Sequence, residues 1–204
     1  MEIKFDSKEL SVLTRAEIAK EISSAEALMA LAKDDEIIVR RAIAEINDHV
    51  PAEVLNLLAT DSSVDVRRSV TASKNATKEI LIALSIDKEV SVRCGVALNE
   101  NTPEHILREL SEDADVRESV AMNKNTTAEL LKNMSKDKNE AVRYAVARNQ
   151  NTTAEVLHTL SRDKSANVRS AVALNNNASI KTLKSLLKDE EEDIRGIVIG
   201  ILKI

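Results

Sequence analysis

The apolar residues of this chain fall into two arrangements that alternate along its length. In the first, leucines stand at i and i+3: Leu28/Leu31, Leu55/Leu58, Leu81/Leu84, Leu107/Leu110, Leu131/Met134, Leu157/Leu160 and Leu183/Leu186. That spacing lays one apolar stripe along a helix. In the second, a short turn later, β-branched residues stand at i and i+4: Val39/Ile43, Val66/Val70, Val92/Val96, Val116/Val120, Val142/Val146, Val168/Val172 and Ile194/Val198. Between them lies a small residue, Ala42, Ser69, Gly95, Ser119, Ala145 or Ala171, which would let two helical layers approach closely. No strand-like alternation persists, so the pattern predicts an all-α chain.

Polar positions keep the same beat. Arg40, Arg67, Arg93, Arg117, Arg143, Arg169 and Arg195 follow one another at intervals of 27, 26, 24, 26, 26 and 26 residues. A fixed period of this size signals a stacked repeat protein, here about seven two-helix units forming a solenoid. Residues 1–22 read as a degenerate amino-terminal cap in which Val12, Ala16 and Ala19 keep helical spacing but the signature arginine is missing. Residues 23–204 read as the repeat array, one continuous domain with the cap. Thr126 with Glu129 and Thr152 with Glu155 match a capping box, and Pro51 and Pro103 suit the first helical position. Asn99, Asn123, Asn149 and Asn175 end the second helices, as a residue type that tolerates the left-handed conformation.

The combination of Val-Arg, Asn-x-Asn and paired leucines, as in Val142-Arg143, Asn149/Asn151 and Leu157/Leu160, resembles the leucine-rich repeat variant family over roughly residues 23–200. The resemblance implies alternating helices, the second shorter and in places 3₁₀-like, wound as a right-handed α-α superhelix. Glu100, Lys124, Gln150 and Asn176 replace the proline usual after the first asparagine, which would lengthen the second helix. The cysteine-rich iron–sulfur segment of some members is absent, so no cluster or other cofactor is implied.

Composition narrows the function classes. Phe5 and Tyr144 are the only aromatic residues, which leaves almost no surface for stacking bases or sugars. The net charge of −5 lacks the basic excess usual in nucleic-acid binders. Cys94 is the only cysteine, so no internal disulfide forms and a reducing, cytoplasmic setting is expected. No stretch reads as a signal peptide or a membrane span. His49, His105 and His158 occupy different repeat positions, and Gly95, Gly196 and Gly200 form no phosphate-cradling loop, so neither a metal site nor an enzyme is expected.

Asp34, Asp61, Asp87, Asp137, Asp163 and Asp189 each precede a signature arginine by six residues. A ligand-gripping ladder is one reading. The favoured one is structural, with aspartate closing the turn and arginine bonding it or carbonyls in the adjacent unit, because a half-buried arginine needs such pairing. At the short interval between Arg93 and Arg117, Ser111 takes the aspartate position, with Asp113 or Asp115 as substitutes and a local change of curvature expected. The paired asparagines Asn99/Asn101, Asn123/Asn125, Asn149/Asn151 and Asn175/Asn177 could form a polar binding ladder, but closing one helix and starting the next is favoured.

Variation is where recognition would lie. One and five residues after each arginine, i,i+4 neighbours point away from the core stripe: Arg41/Glu45, Arg68/Ala72, Cys94/Leu98, Glu118/Met122, Tyr144/Arg148, Ser170/Leu174 and Gly196/Gly200. Cys94, Leu98, Met122, Tyr144, Arg148 and Leu174 would form a partly apolar strip, with Glu118 and Arg148 as its charges. Met, Tyr and Arg are enriched at protein interfaces. An alternative has Leu98, Met122 and Leu174 packed between units. The expectation is a non-catalytic scaffold that holds another protein or peptide along this face. A nucleic-acid-binding helical array using Arg41, Arg68 and Arg148 is the rival, and an enzyme ranks last. The apolar run at 194–204 exceeds what one repeat buries, so pairing with a second copy or a folded-back segment is expected there.

Overall fold

The computed structural model describes residues 11–22, 24–45 and 50–204, and among these it contains fifteen α-helices and no strand. Phe5, His49 and the first ten residues of the expected cap lie outside the described residues. The opening helix is α1 (Val12–Glu21). The first helices of the repeats are α2 (Ala25–Leu31), α4 (Ala52–Leu58), α6 (Lys78–Leu84), α8 (Glu104–Leu110), α10 (Ala128–Met134), α12 (Ala154–Leu160) and α14 (Ile180–Leu186). The second helices are α3 (Ile37–Ala44), α5 (Val64–Ala72), α7 (Val90–Leu98), α9 (Arg117–Met122), α11 (Glu140–Arg148), α13 (Ala166–Leu174) and α15 (Glu192–Leu202). The chain divides into two compact units at Ile106/Leu107. In the first, α1, α3, α5 and α7 pack in sequence; in the second, α9, α11, α13 and α15 do.

Leucines at i and i+3 of the first helices form one side of the core. Leu28, Leu55, Leu81, Leu107, Leu131 and Leu157 are fully buried, and Val39, Val66, Val92, Val120, Val146, Val172 and Val198 meet them from the second helices with no exposed surface. Burying each such side chain contributes about 1.5–3 kcal/mol. Because the core is aliphatic and shared between successive helix pairs, each pair depends on its neighbour for cover.

Several local expectations are corrected. In place of shorter second helices, α5, α7, α11 and α13 have 9 residues against 7 in the first helices α4, α6, α10 and α12, the lengthening expected from the missing proline. By contrast α9, with 6, is shorter than α8, with 7. Thr126 and Thr152 cap nothing. They are buried, and their hydroxyls donate to Val120 O at 2.5 Å and Val146 O at 2.6 Å, satisfying carbonyls of the preceding helix. The caps are the next residues, Thr127 and Thr153, which accept from Leu130 N and Val156 N. Pro51 is the N-cap residue of α4 and Pro103 immediately precedes α8, each one place earlier than expected.

The asparagines that end the second helices are extended, not left-handed: Asn99 has φ −70 and ψ 133, and Asn123, Asn149 and Asn175 resemble it. Their amides are inter-unit ties. Asn99 donates to Thr71 O and Ser73 O, Asn149 to Ala121 O and Asn123 O, and Asn175 to Ala147 O and Asn149 O, at 2.7–3.0 Å. Asn101, Asn151 and Asn177 do the same one turn on, reaching Ala76 O, Thr126 O and Thr152 O. An unpaired buried carbonyl costs about 1–3 kcal/mol, so the extended backbone, which aims the amide at the preceding unit, is the better solution.

Small residues serve a different layer from the one expected. A Cβ on Gly95 would stand 1.9 Å from Thr71 Oγ1 and 2.9 Å from Thr71 Cβ, so the close approach is between consecutive second helices, α5 and α7.

Candidate functional site

The arginines form joints. In Arg40, Arg67, Arg143 and Arg169, Nη1 donates to carbonyls of the arginine's own preceding turn, and Nε with Nη2 grips the aspartate of the following unit. Arg67 reaches Asp61 O at 2.9 Å and Asp87 at 2.6 and 3.0 Å; Arg143 reaches Asp137 O at 2.9 Å and Asp163 at 2.6 and 2.9 Å. Arg40 joins Asp61, and Arg169 joins Asp189, with the same fork. Arg117 holds Asp137 through Nη1 at 2.7 Å. Arg93 and Arg195 brace their own turns at Asp87 O and Asp189 O. Each aspartate also accepts from the amide two residues on, as Asp163 does from Ser165 at 2.9 Å.

Burial and bonding act together on these carboxyls. The Arg67, Arg143 and Arg169 guanidiniums hold Asp87, Asp163 and Asp189 below the usual carboxylate range, against the opposing effect of desolvation. At Asp61 and Asp34 desolvation is the largest single influence and pushes upward. The bonds and charges of Arg40 and Arg15, with a turn amide, outweigh it and bring both carboxyls down.

One member of this ladder escaped the sequence pattern. Arg15 of α1 is a signature arginine, with Nε 2.7 Å and Nη2 3.1 Å from Asp34, so the opening segment carries the joint it was expected to lack. Thr14, in place of valine before it, hid the match. At the short interval Asp113, one of the two substitutes the sequence offers for Ser111, makes the turn, accepting from Asp115 N at 3.0 Å. Residues 114–116 are turn, and α9 begins at Arg117 itself, so the missing residues come out of the helix's first turn.

The variable positions sit beside this seam on the outside. Leu98 is 48% exposed, Met122 58%, Tyr144 36% and Leu174 62%, so they do not pack between units. Glu118 and Arg148 are exposed and Cys94 is half-buried. In the first unit, a hollow of ≈ 620 Å³ opens between α5 and α7, where Ala72 and Gly95 leave room and Arg68, Lys74, Cys94 and Leu98 form the walls. In the second unit, Tyr144 and Arg148 form a ridge on α11, with Arg148 lying 5.8 Å from the Tyr144 ring centroid. A hollow of ≈ 290 Å³ lies on the α9 side against Glu118 and Met122, and one of ≈ 430 Å³ on the α13 side against Ser170 and Leu174. Small residues at the fifth position and at the seam were the sequence signal for the hollow in the first unit.

The basic side chains of the first unit are partly neutralised on their own helices. Arg41 lies 3.2 Å from Glu45, and Arg68 3.3 Å from Asp65. His158 lies 3.2 Å from Thr182 Oγ1 and 3.1 Å from Arg162 Nη2. Among the described residues no three His, Cys, Asp or Glu side chains gather as metal ligands, and no helix is long and apolar enough to cross a membrane. On α15, Ile194 and Val198 face inward, while Ile199 and Ile201 are each 44% exposed.

Comparison with known proteins places this arrangement. A solved structure described as a leucine-rich repeat variant with a novel repetitive protein structural motif is 30% identical, with a TM-score of 0.64, over 90% of this chain and 73% of that chain. No protein-family model matches the sequence, and no curated protein does.

Proposed function

The chain belongs to the leucine-rich repeat variant family, and from that premise we propose that it is a non-catalytic scaffold that binds another protein or peptide along the exposed face of its second helices. One observation carries this reading. The apolar positions held constant from unit to unit are buried, and the positions that change expose apolar side chains at Leu98, Met122, Tyr144 and Leu174. Free of stacking duties, such side chains are available for an interface, and tyrosine and methionine suit one. Nucleic acid is the weaker fit. Arg41 and Arg68 already face carboxylates in the first unit, and in the second the equivalent repeat position holds Glu118.

A pull-down from the source lysate, read by mass spectrometry, tests the proposal with a variant combining Leu98→Ser, Met122→Ser, Tyr144→Ala and Leu174→Ser. Partners captured by the parent protein should be lost, while each substitution alone leaves stability within about 0.5 kcal/mol. Undiminished capture sinks the proposal. A collapse of stability would reassign these residues to packing.

A further inference from the structure

The second unit says more about the partner, on the premise that the scaffold reading holds. Its arginines are Arg108, Arg117, Arg143, Arg148, Arg162, Arg169 and Arg195. Six have a partner for the guanidinium. Arg117, Arg143 and Arg169 hold aspartates, Arg195 its turn carbonyls, Arg162 the His158 ring, and Arg108 lies 3.9 Å from Glu129. Arg148 alone has no ion pair or hydrogen-bond acceptor for its guanidinium among the described residues, and it lies exposed over the Tyr144 ring. An arginine backed by an aromatic face keeps its planar fork oriented and turns its donors outward, which matches a carboxylate.

We propose that this face takes an extended peptide segment of the partner, with one acidic side chain placed between two apolar side chains that stand three residues apart. The acid meets Arg148. The apolar side chains enter the two hollows that share the Tyr144–Arg148 ridge as a wall, one against Met122 and the other against Leu174. Spacing sets the length: packed helices stand about 8–10 Å apart, so hollows on either side of one helix are separated by one such step. An extended polyproline-like segment advances about 3.1 Å per residue and returns a side chain to the same side every third residue, about 9 Å on. Glu118, which has no ion pair among the described residues and walls the smaller hollow, excludes a second acid there and confines the first to the ridge.

Selection of a random phage-displayed peptide library on the immobilised full chain tests this. The enriched peptide is then made with a fluorescein label for anisotropy titration. An aspartate or glutamate flanked by apolar residues at that three-residue interval is expected. Arg148→Glu should weaken the peptide at least about tenfold without moving the melting transition. Changing the peptide's acid to lysine should restore binding to Arg148→Glu. A consensus without an acid, apolar anchors seven residues apart as on a helix, affinity indifferent to Arg148→Glu, or no enrichment would each overturn the proposal. Peptides that ignore Arg148 but are lost on the fourfold strip variant would overturn it while leaving the scaffold reading intact.

Discussion

Arg143 and Tyr144 are neighbours in the chain and opposites in circumstance. Arg143 is 6% exposed and belongs to a position occupied by arginine in every unit; Tyr144 is 36% exposed and belongs to one that holds six residue types in seven units. One residue of helical rotation separates the seam from the strip. At the seam, a guanidinium joins two units through a fork of bonds that only arginine supplies, so the residue type is dictated. On the strip, a side chain meets solvent and little else, so the residue type is left to whatever binds. A repeat protein can thus hold its architecture constant while changing its recognition, because the two demands fall on different faces of the same helix.

Acid should break the seam most widely. Asp87, Asp163 and Asp189 are held below the ordinary carboxylate value of about 3.9. Their folded-state values are depressed, so their contribution is complete above the unfolded value and is lost as pH falls through the folded one. Stability followed by urea denaturation should therefore be level from neutral pH down to about 5 and fall steeply below about 4. A profile that stayed level to still lower pH would show that the joints contribute nothing.

A single joint comes next. Arg143→Ala leaves Asp163, whose side chain is 8% exposed, without its partner. Removing one member of a buried pair costs about 3–5 kcal/mol, measurable as a lower urea midpoint, whereas the strip variants should scarcely register. An equal response from Arg143→Ala and Tyr144→Ala would erase the distinction between the faces.

The smallest effect tests the close approach. Gly95→Ala places a methyl group against Thr71, whose hydroxyl donates to Arg68 O at 2.6 Å, and overpacking of this kind costs about 1–3 kcal/mol. Thr71→Ala in the same chain should recover part of that loss. No recovery would place the strain elsewhere.

Much of this architecture is written in the sequence, because repetition converts weak local signals into strong ones. One apolar i,i+3 pair predicts little, but seven at a near-constant interval predict a stacked wall, and the arginine–aspartate register follows from the same interval. What was hidden depended on atomic detail. Thr126 and Thr127 are adjacent hydroxyls, and only the chain path decides that the first turns inward to Val120 and the second caps α10. An asparagine at a helix end suits both left-handed and extended backbones, and the carbonyls of the preceding unit select the extended one. Arg15 lost its marker when threonine replaced valine, since its role depends on reaching Asp34 and not on its neighbours in sequence. The strip could be located in sequence, but whether Leu98, Met122 and Leu174 were covered depended on how far neighbouring helices stand off.

The fork at Arg143 and the fork at Arg169 are the same part, with Nε 2.6 and 2.7 Å from the next aspartate. Interchangeable parts have a genetic corollary. Duplicating the segment from Asp137 through Arg162 would place a new arginine before an aspartate it already fits and a new asparagine after carbonyls it already reaches. Such a chain can lengthen by in-frame duplication without inventing a new contact, and the added copy arrives with a fresh pair of outward positions on which selection can act.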